Sequence, residues 1–274
     1  MTRYKSRIIL ILIIVVLLLL AAYVLLRFSR PNPLNNPESI VYDETQDRFL
    51  ISNAGNGRII SMNPKGSFDI LLKDGLANPR GMKLKYPNLY VTDNTQVKVI
   101  DLEQERIAES IPIPGSIMLN DIEFDHLGKL YVTDTKANTL YILDPATKEI
   151  EEVRSPLLKA PNGIIYDYPR KQMLIVCLKE GSPILSYGIE DMQVTTFMPT
   201  LYDNLDGIAI DDLGRIYFSS WSEKAIFQIP QEQNRTLIWQ EGIESPADIY
   251  YHQPTGEILV PNFKKNEILR FAVG

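Results

Sequence analysis

Asp206-Gly-Ile-Ala-Ile-Asp211 is one of six related segments whose spacing sets the architecture of this chain. The others are Glu38-Ser-Ile-Val-Tyr-Asp43, Arg80-Gly-Met-Lys-Leu-Lys85, Asn120-Asp-Ile-Glu-Phe-Asp125, Asn162-Gly-Ile-Ile-Tyr-Asp167 and Ala247-Asp-Ile-Tyr-Tyr-His252. Each begins on a variable, mostly polar residue, passes through Gly, Asp or Ser to Ile or Met, and usually closes on Asp. Their starts are separated by 42, 40, 42, 44 and 41 residues. A turn and a second β-rich run follow each segment: Arg48–Asn53, Asn88–Asp93, Lys129–Asp134, Gln172–Cys177, Arg215–Ser220 and Glu257–Asn262. A third run and a weaker fourth complete most units, as in Thr139–Asp144 and Glu149–Val153. Short β-branched and aromatic stretches broken by Gly, Asp-Leu-Gly and Pro are strand and turn signals, and no long helical periodicity appears. A period near 40 with four strands per unit is the arithmetic of a β-propeller. The expected fold class is therefore all-β, a six-bladed propeller over residues 38–274. Pro31–Pro37 is a poor strand to lend to the last unit, so that blade is expected to be incomplete.

Outside the propeller the sequence changes character. Ile8 to Leu26 are nineteen consecutive apolar positions, Tyr23 included. That length predicts one N-terminal transmembrane helix, residues 8–26, retained as a signal anchor because no A-x-A cleavage site follows. A cytoplasmic tail at 1–7 and a linker at 27–37 flank it. Arg3, Lys5 and Arg7 precede the span and only Arg27 and Arg30 follow it. This bias predicts a single-pass protein anchored in the lipid bilayer, with the propeller exported to the periplasm, the lumen or the cell exterior.

Net charge is −6 overall, but the first thirty residues hold five basic side chains and no acid. The remainder carries 23 basic against 34 acidic groups, or −11. An acidic domain argues against nucleic-acid binding and is compatible with a cation site. No obligatory protein partner is evident. Cys177 is alone in an apolar run, which excludes an intrachain disulfide and reads as a buried structural thiol. With only His126 and His252 besides, a Cys/His zinc centre is excluded as well. Both histidines fall at the far face and are expected to be structural. No G-x-S-x-G nucleophile elbow is present.

In a propeller the first strand of each blade lines the central channel, so the first residues of the six segments converge at one depth. That column reads Glu38, Arg80, Asn120, Asn162, Asp206 and Ala247. Two carboxylates and two carboxamides in one narrow space repel and desolvate one another unless a cation joins them. Ca²⁺ accepts six to eight oxygens of either kind, and Mg²⁺, Mn²⁺ and Zn²⁺ are the alternatives. Glu38, Asn120, Asn162 and Asp206 are the expected ligands.

Four motifs in order carry a resemblance: Pro37-Glu38-Ser-Ile-Val-Tyr-Asp43, Leu119-Asn120-Asp121, Pro161-Asn162-Gly163 and Leu205-Asp206-Gly207. They resemble the metal-site motifs of the regucalcin/gluconolactonase (senescence marker protein) family and of the related paraoxonase and diisopropylfluorophosphatase propellers. The resemblance covers Pro37 to Gly274. It implies a divalent ion on Glu38, Asn120, Asn162 and Asp206, in enzymes that open lactones or hydrolyse phosphotriesters. Two departures bear on the substrate. Met118 stands where gluconolactonase-like members place a sugar-contacting Arg, and Asn78-Pro79-Arg80-Gly81 replaces the Asn-Pro-His-Gly of paraoxonases. Arg80 is no general base at neutral pH; it either holds a substrate oxygen or pairs with Glu38 or Asp206 across the channel.

The expected function is a Ca²⁺-dependent hydrolase acting on a small ester-like substrate, a lactone first. Asp206 or Glu38 assists as base, and Arg80, Asn120, Met118 and Trp221 line the substrate site. Trp221 is read either as an apolar wall or as surface packing. Asn53, Asp93, Asp134, Glu180 and Asn262, between second and third strands, are also expected to shape the pocket. The alternative is a non-enzymatic exported propeller, a binding or scaffold module or a strictosidine-synthase-like protein, in which the ion only rigidifies the axis.

Overall fold

The computed structural model describes residues 12–20, 32–232 and 235–274. The chain divides into two units, 1–33 and 34–274. In the first, residues 12–20 are helical. Nine residues rise only about 14 Å, roughly half of an apolar bilayer core. Among the described residues no helix is long and apolar enough to cross a membrane. The expected transmembrane span, and with it the lipid-bilayer contact and membrane anchoring, therefore finds no support there. The rest of the 8–26 segment, the 1–7 tail and the linker through residue 31 lie outside the described residues.

The second unit is the expected propeller. Blade 1 comprises β1 (Pro37–Asp43), β2 (Arg48–Asn53), β3 (Arg58–Met62) and β4 (Phe68–Leu72). Blade 2 comprises β5 (Pro79–Lys85), β6 (Asn88–Asp93), β7 (Gln96–Asp101) and β8 (Arg106–Pro112). Blade 3 holds β9 (Leu119–Phe124), β10 (Leu130–Asp134), β11 (Thr139–Leu143) and β12 (Ile150–Arg154). Blade 4 holds β13 (Pro161–Asp167), β14 (Gln172–Cys177), β15 (Ile184–Gly188) and β16 (Val194–Met198). Blade 5 holds β17 (Leu205–Ile210), β18 (Ile216–Ser220), β19 (Ala225–Ile229) and β20 (Leu237–Glu241). Blade 6 has three strands, β21 (Tyr250–His252), β22 (Glu257–Asn262) and β23 (Glu267–Ala272). Within every blade the strands follow chain order and pair antiparallel. The last blade is incomplete, as its sequence predicts.

Each blade is covered on both faces by its neighbours, which is why the middle strands are buried along most of their length. Every residue of β10 and β11 is buried. Six apolar clusters, one per blade–blade interface, form the core. Each fully buried Leu, Ile or Phe in them contributes about 1.5–3 kcal/mol. Cys177 belongs to the cluster between blades 3 and 4, where burial pushes its thiol up to about 11. Where a repeat segment closes on Asp, that side chain is spent near the turn. Asp125 Oδ1 accepts from the N–H groups of Leu127 (2.8 Å) and Lys129 (2.9 Å), and Asp211 Oδ1 does the same for Leu213 and Arg215.

Among the described residues no strand is shared between the first and last blades. Ring closure is made by side chains and single hydrogen bonds instead. Leu34 and Leu259 pack in one cluster with Ile40 and Phe49. Asn36 N–H donates to Asn266 Oδ1 at 2.7 Å, Arg270 Nη1 to Pro64 O at 3.2 Å, and Asp248 N–H to Glu38 O at 3.1 Å.

Candidate active site

The geometry of the axis begins with an irregularity repeated in five blades. Pro37, Pro79, Leu119, Pro161 and Leu205 pair with the last residues of their neighbouring strands, and the register then shifts before Ile40, Met82, Ile122, Ile164 and Ile208. A bulge of this kind breaks strict alternation and re-aims side chains. The column residues Glu38, Arg80, Asn120, Asn162 and Asp206 each lie inside it. The residues after them, Ser39, Gly81, Asp121, Gly163 and Gly207, lie there too.

Crowding at this depth explains the glycines. A Cβ on Gly163 would stand 2.3 Å from Asp206 O, and one on Gly207 2.4 Å from Ile249 N and 2.5 Å from Asp248 Cα. The neighbours met are backbone, which cannot yield. Hydroxyls from the second strands take up the hydrogen bonds that the bulges leave over. Thr133 Oγ1 accepts from Asp121 N–H (2.9 Å) and donates to Asn162 O in the next blade (2.7 Å). Ser219 Oγ accepts from Gly207 N–H (2.7 Å) and donates to Ala247 O (2.9 Å). Ser52 and Thr92 hold equivalent places.

Glu38, Asn120, Asn162 and Asp206 are all buried. Arg80 Nη1 lies 3.5 Å from Glu38 Oε1, so the channel pairing left open by the sequence is the one that forms. Glu38 Oε2, on the other side of that carboxylate, is buried and has no partner. Asn162 Oδ1 is likewise buried and unmatched. Asn120 Nδ2 donates to Thr135 Oγ1 at 3.1 Å, which fixes the amide plane. Asp206 sits within electrostatic reach of Arg80, with the side chains of Trp221 and Asn162 beside it.

Burial dominates the electrostatics. It pushes the Asp206 carboxyl up to about 7, against the pull of Arg80, Trp221 and Asn162. Glu38 is driven well above the carboxylate range by burial, lowered in part by Arg80 and raised further by Asp206 and Asp121. Two more carboxyls, not foreseen as part of the site, lie one residue along from the column. Asp121 is raised by burial and then by Asp248, and Asp248 by burial and then by Glu38 and Asp206. Ser39 Oγ donates to Asp248 Oδ2 at 2.7 Å, and Ile164 N–H to Asp121 Oδ2 at 2.8 Å. Their sequence signal was the Asp in second place of two repeat segments, where three others carry Gly.

The axis thus has several buried acids and one nearby guanidinium. The expected set lacked a neutralising partner; Arg80 is that partner, for one charge. Two unmatched hard oxygens facing a crowded acidic channel fit a cation with oxygen preference. Among the described residues no three His, Cys, Asp or Glu side chains stand in metal-holding geometry. Any ion here would lean on the carboxamides of Asn120 and Asn162 as well as on Glu38 and Asp206.

Several expected pocket residues lie elsewhere in role. Asp93 accepts from the N–H groups of Ala77 and Asn78, Asp134 from Ile117 and Met118, and Asn262 from Ser245. These side chains pin the loops that lead into their own blades, which takes up their hydrogen-bonding capacity. Met118 is half-buried in such a loop, and its side chain makes no hydrogen bond to the column. Trp221 is half-buried, packed against Phe263, and reaches Asp206. His126 pairs with Tyr166 Oη (2.6 Å) and His252 with Thr255 Oγ1 (2.8 Å), both at hairpin turns away from the column.

A family model described as SMP-30/Gluconolactonase/LRE-like region matches residues 36–255. No curated protein matches the chain. Among solved structures it resembles a gluconolactonase from Xanthomonas campestris, with TM-score 0.72 and 16% identity over 84% of this chain and 83% of that one. A catalytically inactive virginiamycin B lyase from Staphylococcus aureus with quinupristin gives TM-score 0.68 and 16% identity over 89% and 83%. A luciferin-regenerating enzyme gives TM-score 0.68 and 16% identity over 84% of each chain. At these identities the likeness is one of fold. The match over 36–255, on a six-bladed ring with an oxygen-lined axis, makes this chain a member of the SMP-30/gluconolactonase/LRE-like family.

Proposed function

We propose that the chain is a divalent-cation-dependent hydrolase that opens a lactone or a related ester at the propeller axis. The observation that carries this reading is the pair of buried, unmatched oxygens, Glu38 Oε2 and Asn162 Oδ1, among carboxyls raised by burial. Family membership and the gluconolactonase fold neighbour support it. Glu38, Asn120, Asn162 and Asp206 would hold the ion, Ca²⁺ first with Mg²⁺, Mn²⁺ or Zn²⁺ as alternatives. When bound, such an ion supplies Lewis-acid polarisation of a carbonyl.

The chain's own groups do the rest. Asp206, buried beside the expected ion position, takes the proton of the attacking water. That water oxygen bonds to the carbonyl carbon, the ring C–O bond breaks, and Asp206 returns the proton to the leaving alkoxide. Glu38 is the second base, restrained by its ion pair with Arg80. The guanidinium of Arg80, with its side chain 22% exposed, presents its remaining N–H groups to a substrate oxygen. Met118, in place of a sugar-contacting Arg, favours lactones with apolar tails and aryl esters over gluconolactone.

The test is a panel of δ- and γ-lactones, dihydrocoumarin, phenyl acetate and gluconolactone, assayed with Ca²⁺ and with EDTA. Turnover of the apolar lactones that EDTA abolishes and Ca²⁺ restores is the expected result. Gluconolactone as the best substrate would overturn the pocket assignment. No turnover of any ester, with Ca²⁺ bound stoichiometrically, would favour the non-enzymatic propeller.

A further inference from the structure

The loops between second and third strands, and those that lead into inner strands, all turn at the face where the column stands. Backbone hydrogen bonds tie them in pairs, as in Leu178 N–H to Ala160 O (2.7 Å), Thr135 N–H to Met118 O (3.1 Å) and Trp221 N–H to Asn204 O (3.1 Å). The remaining hairpins turn at the opposite face. Both faces expose large apolar side chains. At the column face they are Ile117, Leu157 and Leu201, in the loops that enter blades 3, 4 and 5 in succession, and Leu201 is 93% exposed. At the opposite face Leu127, Tyr168 and Leu213 stand in hairpins of the same three blades, with Leu127 70% exposed. Apolar exposure alone does not tell the two faces apart.

Charge does. Among the described residues the opposite-face loops hold twelve acids against seven basic groups. The column-face loops hold seven lysines against six acids, and one of those acids, Asp248, lies in the channel. Lys265 pairs with Glu244 at 3.0 Å, whereas Lys136, Lys159, Lys224 and Lys264 are exposed and form no ion pair among the described residues. The chain also enters the propeller at this face: Gly55 N–H donates to Asn35 O (3.1 Å) and Ala54 N–H to Asn36 O (3.0 Å). The sequence ahead of them includes the apolar run 8–26. We propose that the column face docks on an anionic lipid surface, with Ile117, Leu157 and Leu201 in the headgroup boundary and the four lysines on lipid phosphates. Lipid fits better than a protein partner because the apolar tips are single side chains on separate loops, parted by lysines. A protein interface instead buries a contiguous apolar centre. Each tip gains by leaving water, and each lysine by nearing anionic headgroups within a screening length of about 8–10 Å. The proposal is independent of the hydrolase reading, because a docked propeller turns its axis toward the bilayer whatever chemistry the axis performs.

The test keeps the full chain and reads each face separately. Cys177 is buried, so a thiol-reactive, polarity-sensitive fluorophore labels only an introduced cysteine. Leu157→Cys and Leu201→Cys report the column face, and Leu127→Cys and Leu213→Cys the opposite face. Vesicles of phosphatidylcholine with phosphatidylglycerol should blue-shift the first pair and expose it to quenching by nitroxide lipids, and should leave the second pair unchanged. Phosphatidylcholine alone, or high salt, should weaken the response. In the labelled Leu201→Cys protein, Lys136→Gln, Lys159→Gln and Lys224→Gln together should lower the ratio of docked to undocked protein by about 10²-fold, about fivefold for each charge. These substitutions separate docking from any hold by the apolar run, which they leave untouched. Equal responses of the two pairs, a triple variant that docks like its parent, or no shift on anionic vesicles overturns the proposal. A shift that grows with protein concentration in the absence of vesicles does so too, and assigns this face to a second copy of the chain.

Discussion

Replacing Asp206 by Asn separates what this carboxylate does for an ion from what it does to the fold. Its carboxyl is pushed up to about 7 from an ordinary 3.8, chiefly because it is buried. At 1.36 kcal/mol for each tenfold change in proton affinity, keeping it ionised at pH 8 costs the metal-free fold about 4 kcal/mol. The sign follows from the direction. A carboxyl raised in the folded state adds no cost below its unfolded value near 4. The cost grows between about pH 4 and pH 7 and is constant above. Asn is nearly isosteric and neutral, and its amide oxygen still faces Trp221. Asp206→Asn should therefore stabilise the metal-free protein at pH 8. For a domain of this size 1 kcal/mol moves the melting temperature by about 2–4 °C, so the gain reaches about 8–16 °C at most. The assay is thermal denaturation in EDTA, followed by circular dichroism at pH 8 and pH 4. The two proteins should converge at pH 4. Saturating Ca²⁺ should reverse the order at pH 8, because the ion stabilises only the protein that binds it well. A variant that melts at or below wild type at pH 8 in EDTA refutes the reasoning, as does a gap that persists at pH 4.

Further outcomes follow from the same geometry. Arg80→Ala removes a positive charge 3.5 Å from Glu38 Oε1; Ca²⁺ affinity by calorimetry should tighten while kcat/KM for lactones falls, and weaker ion binding would contradict the assigned pairing. Glu38→Gln and Asn162→Ala should each weaken Ca²⁺ binding by 10-fold or more, with activity partly rescued at high Ca²⁺ for the amide variant alone. Gly207→Ala drives a methyl into the backbone of Ala247, Asp248 and Ile249, so it should cost about 3 kcal/mol or more in denaturant midpoints, beyond ordinary overpacking. His126→Ala and His252→Ala sit at hairpin turns and should leave lactone turnover within about twofold, at a loss of about 1 kcal/mol in stability.

The sixfold period was legible because a propeller must return the same residue to the same depth in every blade. Spacing alone therefore located Glu38, Asn120, Asn162 and Asp206. What stayed hidden depends on geometry that pattern does not carry. Asp121 and Asp248 follow column positions, and simple alternation turns them away from the axis. In blade 3 a register shift falls at Asp121, while Asp248, ahead of β21, meets Ser39 Oγ of blade 1. Ser52, Thr92, Thr133 and Ser219 looked like ordinary strand residues, because the irregularity they repair is invisible until the strands pair. Asp93, Asp134 and Asn262 were misplaced for the opposite reason. Their position at the ends of second strands was right, but loop N–H groups absorb them. Of the apolar run at 8–26 only residues 12–20 are described, and they are helical.

The way the ring is shut couples its weakest joint to its most charged place. Among the described residues blade 6 meets blade 1 without a shared strand, and the contacts that join them include Asp248 N–H to Glu38 O and Ser39 Oγ to Asp248 Oδ2. Glu38 and Asp248 thus stand on opposite lips of a non-covalent clasp. A fluctuation that parts the clasp carries Glu38 away with blade 1, while Asn120, Asn162 and Asp206 stay seated in blades whose neighbours on both sides are continuous in the chain. A bridging ligand at the axis would act as a rivet across that clasp. Hydrogen exchange at β1, β22 and β23 would then slow on loading far more than exchange in blades 3 and 4. Trimming the chain after Asn262 would disarm the site without touching a single proposed ligand.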